Sequence, residues 1–200
     1  MSNNKVAIFG GTFDPPHLGH LILSEQIKNY FGLDKIIFMP AGRPPHKRNQ
    51  CVSSDQDRLK MVELAVEDNP FFEVSDWEIR AEGYSYTART LKEFVPTIAA
   101  KEVFFIIGAD SLADIFDWHK PEYLLANGKF IVFKRPGYDL DKILAKEKYQ
   151  AYLDNLKLYQ GISIDLSSSF IRDQIKKNNS IKYLSRDNVV AYIDRKKLYR

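Results

Sequence analysis

The fold is decided by the stretch Lys5-Val-Ala-Ile-Phe-Gly-Gly-Thr-Phe-Asp-Pro-Pro-His-Leu-Gly-His20. It begins with a short, mostly apolar run that two glycines end. Such a run is typical of a strand that is buried on both faces, as in a parallel sheet. From Leu18 to Phe31 apolar residues recur at nearly helical spacing, and Pro15 and Pro16 stand just before, where a helix start tolerates proline. The stretch therefore predicts a strand, a glycine turn and a helix.

The rest of the chain repeats this alternation of apolar runs and amphipathic segments. Further strands are predicted at residues 35–39, 71–75, 102–107, 129–134 and 162–166, and helices at residues 55–67, 87–95, 168–177 and 188–195. Apolar strands that alternate with amphipathic helices are typical of a doubly wound parallel sheet. We therefore predict an α/β, Rossmann-like fold with a mainly parallel sheet, helices on both faces, and a single domain over residues 1–200.

Composition limits the classes of function. The chain has 200 residues, of which 44% are hydrophobic, and its formal net charge of +3 gives little reason to expect a nucleic-acid partner. Cys51 is the only cysteine, which excludes an internal disulfide and a cysteine-rich zinc site and indicates a reducing compartment. The sequence has neither a signal-peptide pattern nor an apolar run of about 20 residues. We expect a cytoplasmic protein with no membrane partner.

The glycines and histidines after the first strand are suited to an anion. Ligands of open α/β sheets bind beyond the carboxyl ends of the strands, where Gly10 and Gly11 would let a ligand approach backbone N–H groups. The following helix start adds N–H donors and the positive end of its dipole. His17 and His20 are three residues apart, so both project toward the same space. The pattern alone leaves open a plain tight turn or an anion site, and zinc is disfavoured because no further ligand has a matching spacing.

The run from Gly10 to His20 resembles the signature of the H-x-G-H nucleotidyltransferase superfamily, with His17-Leu-Gly-His20 as the tetrapeptide. The complete run is similar to that of the bacterial nicotinate mononucleotide adenylyltransferases, which make deamido-NAD and pyrophosphate from ATP and nicotinate mononucleotide. The resemblance implies the same reaction in NAD biosynthesis, with His17 and His20 as catalytic residues. It also implies that one set of loop residues contacts ATP: Gly10, Gly11, Thr12, Phe13 and His20.

A second motif, Leu166-Ser-Ser-Ser-Phe-Ile-Arg172, supports the resemblance. Serines are good helix N-caps, and capping alone would explain them. However, Arg172 lies one turn into the predicted helix, where it can share a phosphate site with the serine hydroxyls. The family motif is Ile-Ser-Ser-Thr-x-Ile-Arg, so this chain departs from it at Leu166 and at Ser169, which keeps the hydroxyl. The resemblance implies that Ser168, Ser169 and Arg172 contact the phosphates of ATP.

Further segments match the same family. Gly108-Ala-Asp110 follows the strongest apolar run, and Asp110 is interpreted either as a simple helix cap or as an acceptor for ribose hydroxyls. Trp118 would be a core residue by its type alone, and it matches the family's tryptophan that stacks on nicotinate. The resemblance assigns Gly108 and Asp110 to ATP. It assigns a second set to nicotinate mononucleotide: Lys47, Tyr86, Thr87, Asp110 and Trp118.

The implied reaction is an in-line displacement in which a phosphate oxygen of the mononucleotide attacks the α-phosphorus of ATP. The nucleophile is already an anion, so neither a general base nor a covalent intermediate is required. Magnesium is expected to arrive with ATP and to be held by phosphate oxygens and water, without a dedicated protein ligand. The expected partners are ATP and nicotinate mononucleotide, and a homo-oligomer is left open.

Three alternatives are kept. A sister adenylyltransferase would use nicotinamide mononucleotide, phosphopantetheine or FMN as the acceptor. A catalytically silent nucleotide-binding module would not need the complete set of His17, His20, Ser169 and Arg172. A catalytic fragment of a class I tRNA synthetase is disfavoured, because 200 residues leave no room for an anticodon-reading domain. No role for Asp14 follows from the sequence.

Overall fold

A computed structural model describes residues 4–43 and 53–200 of the chain. Within these ranges six strands form one sheet: β1 (Lys5–Gly11), β2 (Lys35–Pro40), β3 (Phe72–Val74), β4 (Glu102–Gly108), β5 (Lys129–Phe133) and β6 (Leu156–Tyr159). Their order across the sheet is β3-β2-β1-β4-β5-β6, and every neighbouring pair is parallel. This is a doubly wound order, which reverses direction between β1 and β4. The predicted fold class is confirmed.

Helices cover both faces of this sheet. Their bounds are α1 (Leu18–Phe31), α2 (Asp55–Val66), α3 (Trp77–Arg80), α4 (Thr87–Arg89), α5 (Ala109–Ala113), α6 (Pro121–Asn127), α7 (Leu140–Leu144), α8 (Ser168–Lys176) and α9 (Asp187–Lys196). Ala7 and Phe9 of β1 pack in one core layer with α1, α2, α8 and α9. Ile8 packs in the opposite layer with α4, α5, α6 and α7. Because both faces of β1 are covered, its apolar run is continuous rather than alternating.

The strand ends determine where a ligand site can form. β1 lies between β2 and β4 in parallel register, with Ile8 opposite Ile37 on one side and Phe105 on the other. The carboxyl ends of β1 and β4, at Gly11 and Gly108, therefore lie at the same edge of the sheet. The reversal of strand order between β1 and β4 opens a crevice at that edge.

The sixth strand differs from the prediction. Residues 162–166 form no strand, and the strand beside β5 is instead Leu156–Tyr159, with Phe130 opposite Leu156. Alternating apolar and polar residues indicate an extended chain in both segments, but only the earlier one reaches a hydrogen-bonding partner. Leu156 and Tyr159 are buried, whereas the side chain of Ile162 is 52% exposed.

The helix predicted at residues 87–95 is present in three helical forms. α4 continues as a wider π-helical turn over Thr90–Phe94 and then as a 3-10 turn over Val95–Thr97. Pro96 has no N–H to donate, so regular α-helical bonding does not continue through it. The predictions at residues 168–177 and 188–195 are confirmed by α8 and α9. The short helices α3, α5, α6 and α7 were not predicted, because segments of four to seven residues are too short to show a helical period.

Candidate active site

Two glycines form the turn that follows β1. A Cβ atom on Gly10 would meet no protein atom within 4 Å, so this part of the backbone faces open space. A Cβ atom on Gly11 would lie 3.0 Å from the ring of Phe13, which packs against the turn. Gly10 therefore leaves room for a ligand, and Gly11 leaves room for a neighbouring side chain.

The two histidines of the H-x-G-H tetrapeptide lie at the start of α1. Their rings are stacked with centroids 3.6 Å apart. The backbone N–H of His17 donates to Nδ1 of His20 over 3.2 Å. In a neutral imidazole one nitrogen accepts and the other carries the proton. With Nδ1 accepting this bond, a neutral His20 ring carries its proton on Nε2.

His17 is buried, with 5% of its surface exposed. Burial lowers the pKa of His17 to about 4, with a further contribution from the positive charge of Arg135. The ring is therefore neutral near pH 7. Its Nδ1 would lie only 3.0 Å from a Cβ atom on Gly19, so a glycine at this position lets the imidazole lie against the helix backbone.

The loop between β1 and α1 is held by side chains from the C-terminal part of the chain. Three successive carbonyls, those of residues 14, 15 and 16, each accept one such hydrogen bond. The donors are Arg172 Nη1 at 2.7 Å, the Ser168 hydroxyl at 2.8 Å and the Ser185 hydroxyl at 2.7 Å. Arg172 Nη2 also donates to the Ser169 hydroxyl at 3.1 Å. The structure thus brings the distal serine–arginine motif beside the histidine loop.

Asp14, which had no predicted role, is a buried carboxylate in this loop. It is 1% exposed, and its Oδ1 accepts from the Ser53 backbone N–H at 3.1 Å and from the Tyr199 hydroxyl at 2.7 Å. Burial raises the pKa of the Tyr199 hydroxyl, and the carboxylate of Asp14 raises it further. Asp14 therefore joins the loop to the residues before α2 and to the C-terminal end of the chain.

The end of β4 adds a carboxylate to the same edge of the sheet. The Asp110 carboxylate folds back over Gly108, where a Cβ atom would collide with its Oδ1. Arg135, which follows β5, places its Nε 3.7 Å from that oxygen. Both atoms are buried without a hydrogen-bond partner among residues 4–43 and 53–200. The sequence analysis did not predict Arg135. It follows a buried strand, as Asp110 does, so the same signal could have identified it.

These groups line one cavity of about 410 Å³. It contains every residue predicted to bind ATP or to act on its phosphates: Gly10, Gly11, Thr12, Phe13, His17, His20, Gly108, Asp110, Ser168, Ser169 and Arg172. Arg135 also lines it. We call it the triphosphate cavity. Cationic side chains and the backbone N–H groups of a turn and a helix start line this cavity, and such donors are suited to phosphate oxygens.

A second cavity, of about 600 Å³, adjoins the first. It is lined by Tyr86, Thr87 and Trp118 of the residues predicted for the mononucleotide, and we call it the acceptor cavity. Trp118 and the turn from Gly10 to Thr12 line both cavities, which therefore form one cleft. Asp110 lines the triphosphate cavity but not the acceptor cavity. Lys47, also predicted for the mononucleotide, lies outside the described residues.

Three residues that the sequence analysis assigned to no substrate also line the acceptor cavity: Glu78, Ser85 and His119. The Ser85 hydroxyl accepts from the backbone N–H groups of Gly42 at 2.9 Å and Arg43 at 3.2 Å. The Glu78 carboxylate accepts from the Thr90 hydroxyl at 2.6 Å, and burial raises the pKa of Glu78. The His119 ring lies 4.5 Å from that of Tyr86. Ser85 and His119 stand beside Tyr86 and Trp118 in the sequence, which is a local signal, whereas Glu78 has none because its neighbours come from other segments.

Metal-ligand clusters and membrane-spanning helices are both absent from the described residues. In residues 4–43 and 53–200, no group of three or more histidine, cysteine, aspartate or glutamate side chains is arranged to hold a metal ion. None of the helices in the same ranges combines the length and the apolar character needed to cross a membrane.

Known proteins share both the sequence and the fold. A model of the cytidylyltransferase-like family matches residues 8–174. A probable nicotinate-nucleotide adenylyltransferase from Desulfitobacterium hafniense (strain Y51) is 43% identical over 198 residues, which cover 98% of this chain and 96% of that protein. A protein of the same name from Clostridium tetani is 39% identical over 98% of this chain and 99% of its own length.

The solved structure of Plasmodium falciparum nicotinic acid mononucleotide adenylyltransferase complexed with NaAD has the same fold. It superimposes with a TM-score of 0.78 at 22% identity and covers 98% of this chain and 97% of that one. The family model covers most of the chain, and the two sequence relatives match over nearly their full length. The chain therefore belongs to the cytidylyltransferase-like family and, within it, to the nicotinate-nucleotide adenylyltransferases.

Proposed function

We propose that this protein transfers the AMP group of ATP to nicotinate mononucleotide, giving nicotinate adenine dinucleotide and pyrophosphate in NAD biosynthesis. The observation that carries the proposal is the two-part cleft over the carboxyl ends of β1 and β4. Its triphosphate cavity is rich in phosphate-binding groups, and its acceptor cavity offers aromatic rings and a volume of about 600 Å³. Relatives named for the same reaction, at 39–43% identity, support this acceptor.

In this reaction a phosphate oxygen of the mononucleotide attacks the α-phosphorus of ATP, and the bond from that phosphorus to the pyrophosphate oxygen breaks. The attacking oxygen loses its negative charge as the new bond forms, and the pyrophosphate oxygen leaves with the electron pair of the broken bond. The attacking oxygen is already ionised, so no side chain must remove a proton from it. Catalysis then depends on positioning both substrates and stabilising charge on the phosphates.

His20 and His17 take different parts in this proposal. The protonated Nε2 of His20 donates to an oxygen of the transferred phosphate, where charge develops. The backbone N–H of His17 supports this by donating to Nδ1 of His20 at 3.2 Å, which fixes the orientation of the His20 ring. Because the low pKa keeps the His17 ring neutral, His17 contributes a fixed dipole rather than a full charge.

The distal motif supports binding of the leaving pyrophosphate. A guanidinium has five N–H donors, and Arg172 uses Nη1 for the Asp14 carbonyl and Nη2 for the Ser169 hydroxyl. Its remaining donors would bind phosphate oxygens, and Ser169, an exposed residue whose hydroxyl accepts from Nη2, lies beside them. Ser168 already donates to the Pro15 carbonyl, so its contribution is to hold the loop and to offer its backbone N–H.

Magnesium and the carboxylate of Asp110 complete the proposed binding of ATP. Magnesium would be delivered with ATP, held by phosphate oxygens and water, and would neutralise charge on the triphosphate. The carboxylate of Asp110, at the edge of the triphosphate cavity, would accept from the ribose hydroxyls. A cytoplasmic location, a single domain over residues 1–200 and a possible homo-oligomer stay predictions from the sequence.

The proposal is tested by measuring pyrophosphate release from ATP with a panel of acceptors. We expect nicotinate mononucleotide to have the highest kcat/KM, above nicotinamide mononucleotide, with no turnover of phosphopantetheine or FMN. A higher kcat/KM for any of these three would identify a sister enzyme. Calorimetry that detects ATP binding, combined with no pyrophosphate release from any acceptor, would support a silent binding module instead.

A further inference from the structure

Arg58 of α2 is a fully buried cation behind the active-site loops. It is 0% exposed and is the largest completely buried side chain among residues 4–43 and 53–200. Its ion pair with Asp55, at 2.6 Å, reaches a carboxylate whose side chain is 42% exposed. Burying a guanidinium is unfavourable unless its donors are satisfied. The identity of its other partners therefore indicates what the residue does.

The other hydrogen bonds of Arg58 go to the backbones of two loops. Nη1 donates to the Thr12 carbonyl at 2.9 Å, and Nη2 donates to the Gly42 carbonyl at 3.2 Å. Thr12 lines both cavities of the cleft, and Ala41, next to Gly42, lines the acceptor cavity. One guanidinium thus sets the spacing between the loop after β1 and the loop after β2.

Phe13, the residue after Thr12, has a backbone conformation that needs support. Its φ of 51° lies in the left-handed region, which a bulky non-glycine residue rarely adopts. Such a conformation persists only where the surroundings enforce it. The carbonyl before Phe13 is bound by Arg58, and the carbonyl after it, on Asp14, is bound by Arg172. Two arginines therefore hold the strained residue from both sides.

The side chain of Phe13 transmits this restraint to the reacting groups. Phe13 is 2% exposed, and its ring meets the His20 ring edge-on, with centroids 5.0 Å apart and an interplanar angle of 74°. A change in the Phe13 backbone would move its ring, and the closely packed His20 ring would have to follow.

We propose that Arg58 is a positioning residue for adenylyl transfer, which holds the Thr12 carbonyl so that Phe13 orients His20. The kinetic part of this proposal rests on the proposed function. Its structural part, the orientation of His20, can be measured without turnover. Arg58 touches neither substrate in this account and acts only through the loop.

The first test compares Arg58→Met and Arg58→Lys with Asp55→Asn. Asp55→Asn changes the same ion pair but leaves both carbonyl bonds of Arg58 in place, so it is the matched control. We expect kcat to fall on the order of 100-fold in Arg58→Met, the scale for a reacting group displaced by about 1 Å. Arg58→Lys keeps the charge but reaches fewer carbonyls, so its loss is smaller, roughly 10-fold. Asp55→Asn should retain kcat even if its thermal unfolding temperature falls as much as that of the Arg58 variants.

The second test asks whether Arg58 acts through His20. In a His20→Ala background, Arg58→Met should reduce kcat further by no more than about twofold, because the group it positions is gone. In parallel, ¹H–¹⁵N spectra of the imidazoles should show the His20 signals shifted in Arg58→Met and Arg58→Lys and unchanged in Asp55→Asn. The Lys variant provides both readouts if the Met variant does not fold.

Three results would overturn the proposal: unchanged kcat in both Arg58 variants, an equal loss of kcat in Asp55→Asn, or a full additional loss in the His20→Ala background. Failure of the proposed function is distinguishable from these. If the wild-type protein released no pyrophosphate with nicotinate mononucleotide, the imidazole spectra would still decide whether Arg58 orients His20.

Discussion

The triphosphate cavity and the acceptor cavity are built in different ways. The triphosphate cavity uses backbone turns and a helix start, and its loop is held by residues more than 150 positions away, such as Ser168 on the Pro15 carbonyl. The acceptor cavity uses side chains such as Tyr86 and Trp118, carried on or beside short helices. A pre-formed, long-range framework is suited to stabilising charge, whereas side chains on short elements are suited to selecting a substrate. Changes to the groups that contact the transferred phosphate should therefore lower kcat, and changes in the acceptor cavity should raise KM for the mononucleotide.

The largest effect is expected from His20→Ala. Removing one donor to the transferred phosphate should lower kcat on the order of 100-fold, because a single donor to developing charge is typically worth that much. ATP should still bind, as measured by calorimetry. His119→Ala, which changes a histidine of the acceptor cavity, should instead raise KM for the mononucleotide and leave kcat nearly unchanged. Near-normal turnover of His20→Ala would remove His20 from the catalytic residues.

A pair of glycine variants tests the triphosphate cavity more finely. In Gly19→Ala the new methyl group would crowd His17 at 3.0 Å, so we expect a lower unfolding temperature and a loss of kcat of roughly 10-fold. In Gly10→Ala the methyl group meets no protein atom within 4 Å. Stability should then be unchanged, and KM for ATP should rise, because only the ligand meets the methyl group. Equal loss of stability in both variants would contradict this assignment.

Trp118→Ala tests the acceptor cavity. Losing an aromatic face that stacks on a pyridine ring should raise KM for nicotinate mononucleotide by roughly 10-fold, which corresponds to about 1.4 kcal/mol of stacking. KM for ATP should change little, and Trp118→Phe should retain most of the affinity. Since Trp118 lines both cavities, an equal rise in both KM values would show that it serves the ATP side as well.

A further comparison concerns pH, because each cavity contains a titratable group whose pKa is shifted by burial, and the two shifts have opposite effects on how stability depends on pH. The pKa of His17 is lowered from 6.5 to about 4, so the unfolded state binds more protons between these values and stability falls as pH falls through this window. Glu78 has a raised pKa, so the folded state binds more protons. Its contribution to stability therefore falls as pH rises through the raised pKa.

Urea denaturation between pH 4 and pH 7 measures both contributions. His17→Asn should reduce the loss of stability on acidification by up to about 3 kcal/mol, which is the shift from 6.5 to about 4 expressed as free energy. Glu78→Gln should gain stability relative to the wild type as pH rises. An unchanged pH slope in His17→Asn would mean that burial of this ring does not oppose its protonation.

Much of the framework could be predicted because its signals are local. Val6 to Phe9 is apolar at every position, and glycines end both β1 and β4, so the strands and their order along the chain follow from short stretches. The same holds for α8, which Ser167 caps by accepting from the Phe170 backbone N–H at 3.2 Å. All predicted ATP residues were found together because strand ends and helix starts converge at one edge of a parallel sheet.

The remaining features depended on tertiary contacts. The edge strand lies at Leu156–Tyr159, where it pairs with β5, while residues 162–166 form no strand despite a similar alternation. Arg135 and Glu78 are ordinary charged residues in the sequence, and only their neighbours place them in the cleft.

The stretch from Lys5 to His20 by itself determined a strand, a glycine turn and a histidine-bearing helix start, since each depends on side-chain type and spacing within a few residues. Only the tertiary structure decided how that turn is held. Asp14 acquires its role when Ser53 and Tyr199 reach its carboxylate, and Arg58 acquires its role when α2 packs beneath Thr12. Hydrogen bonds between residues 39 to 185 positions apart leave no local trace, because either partner alone is compatible with many other environments.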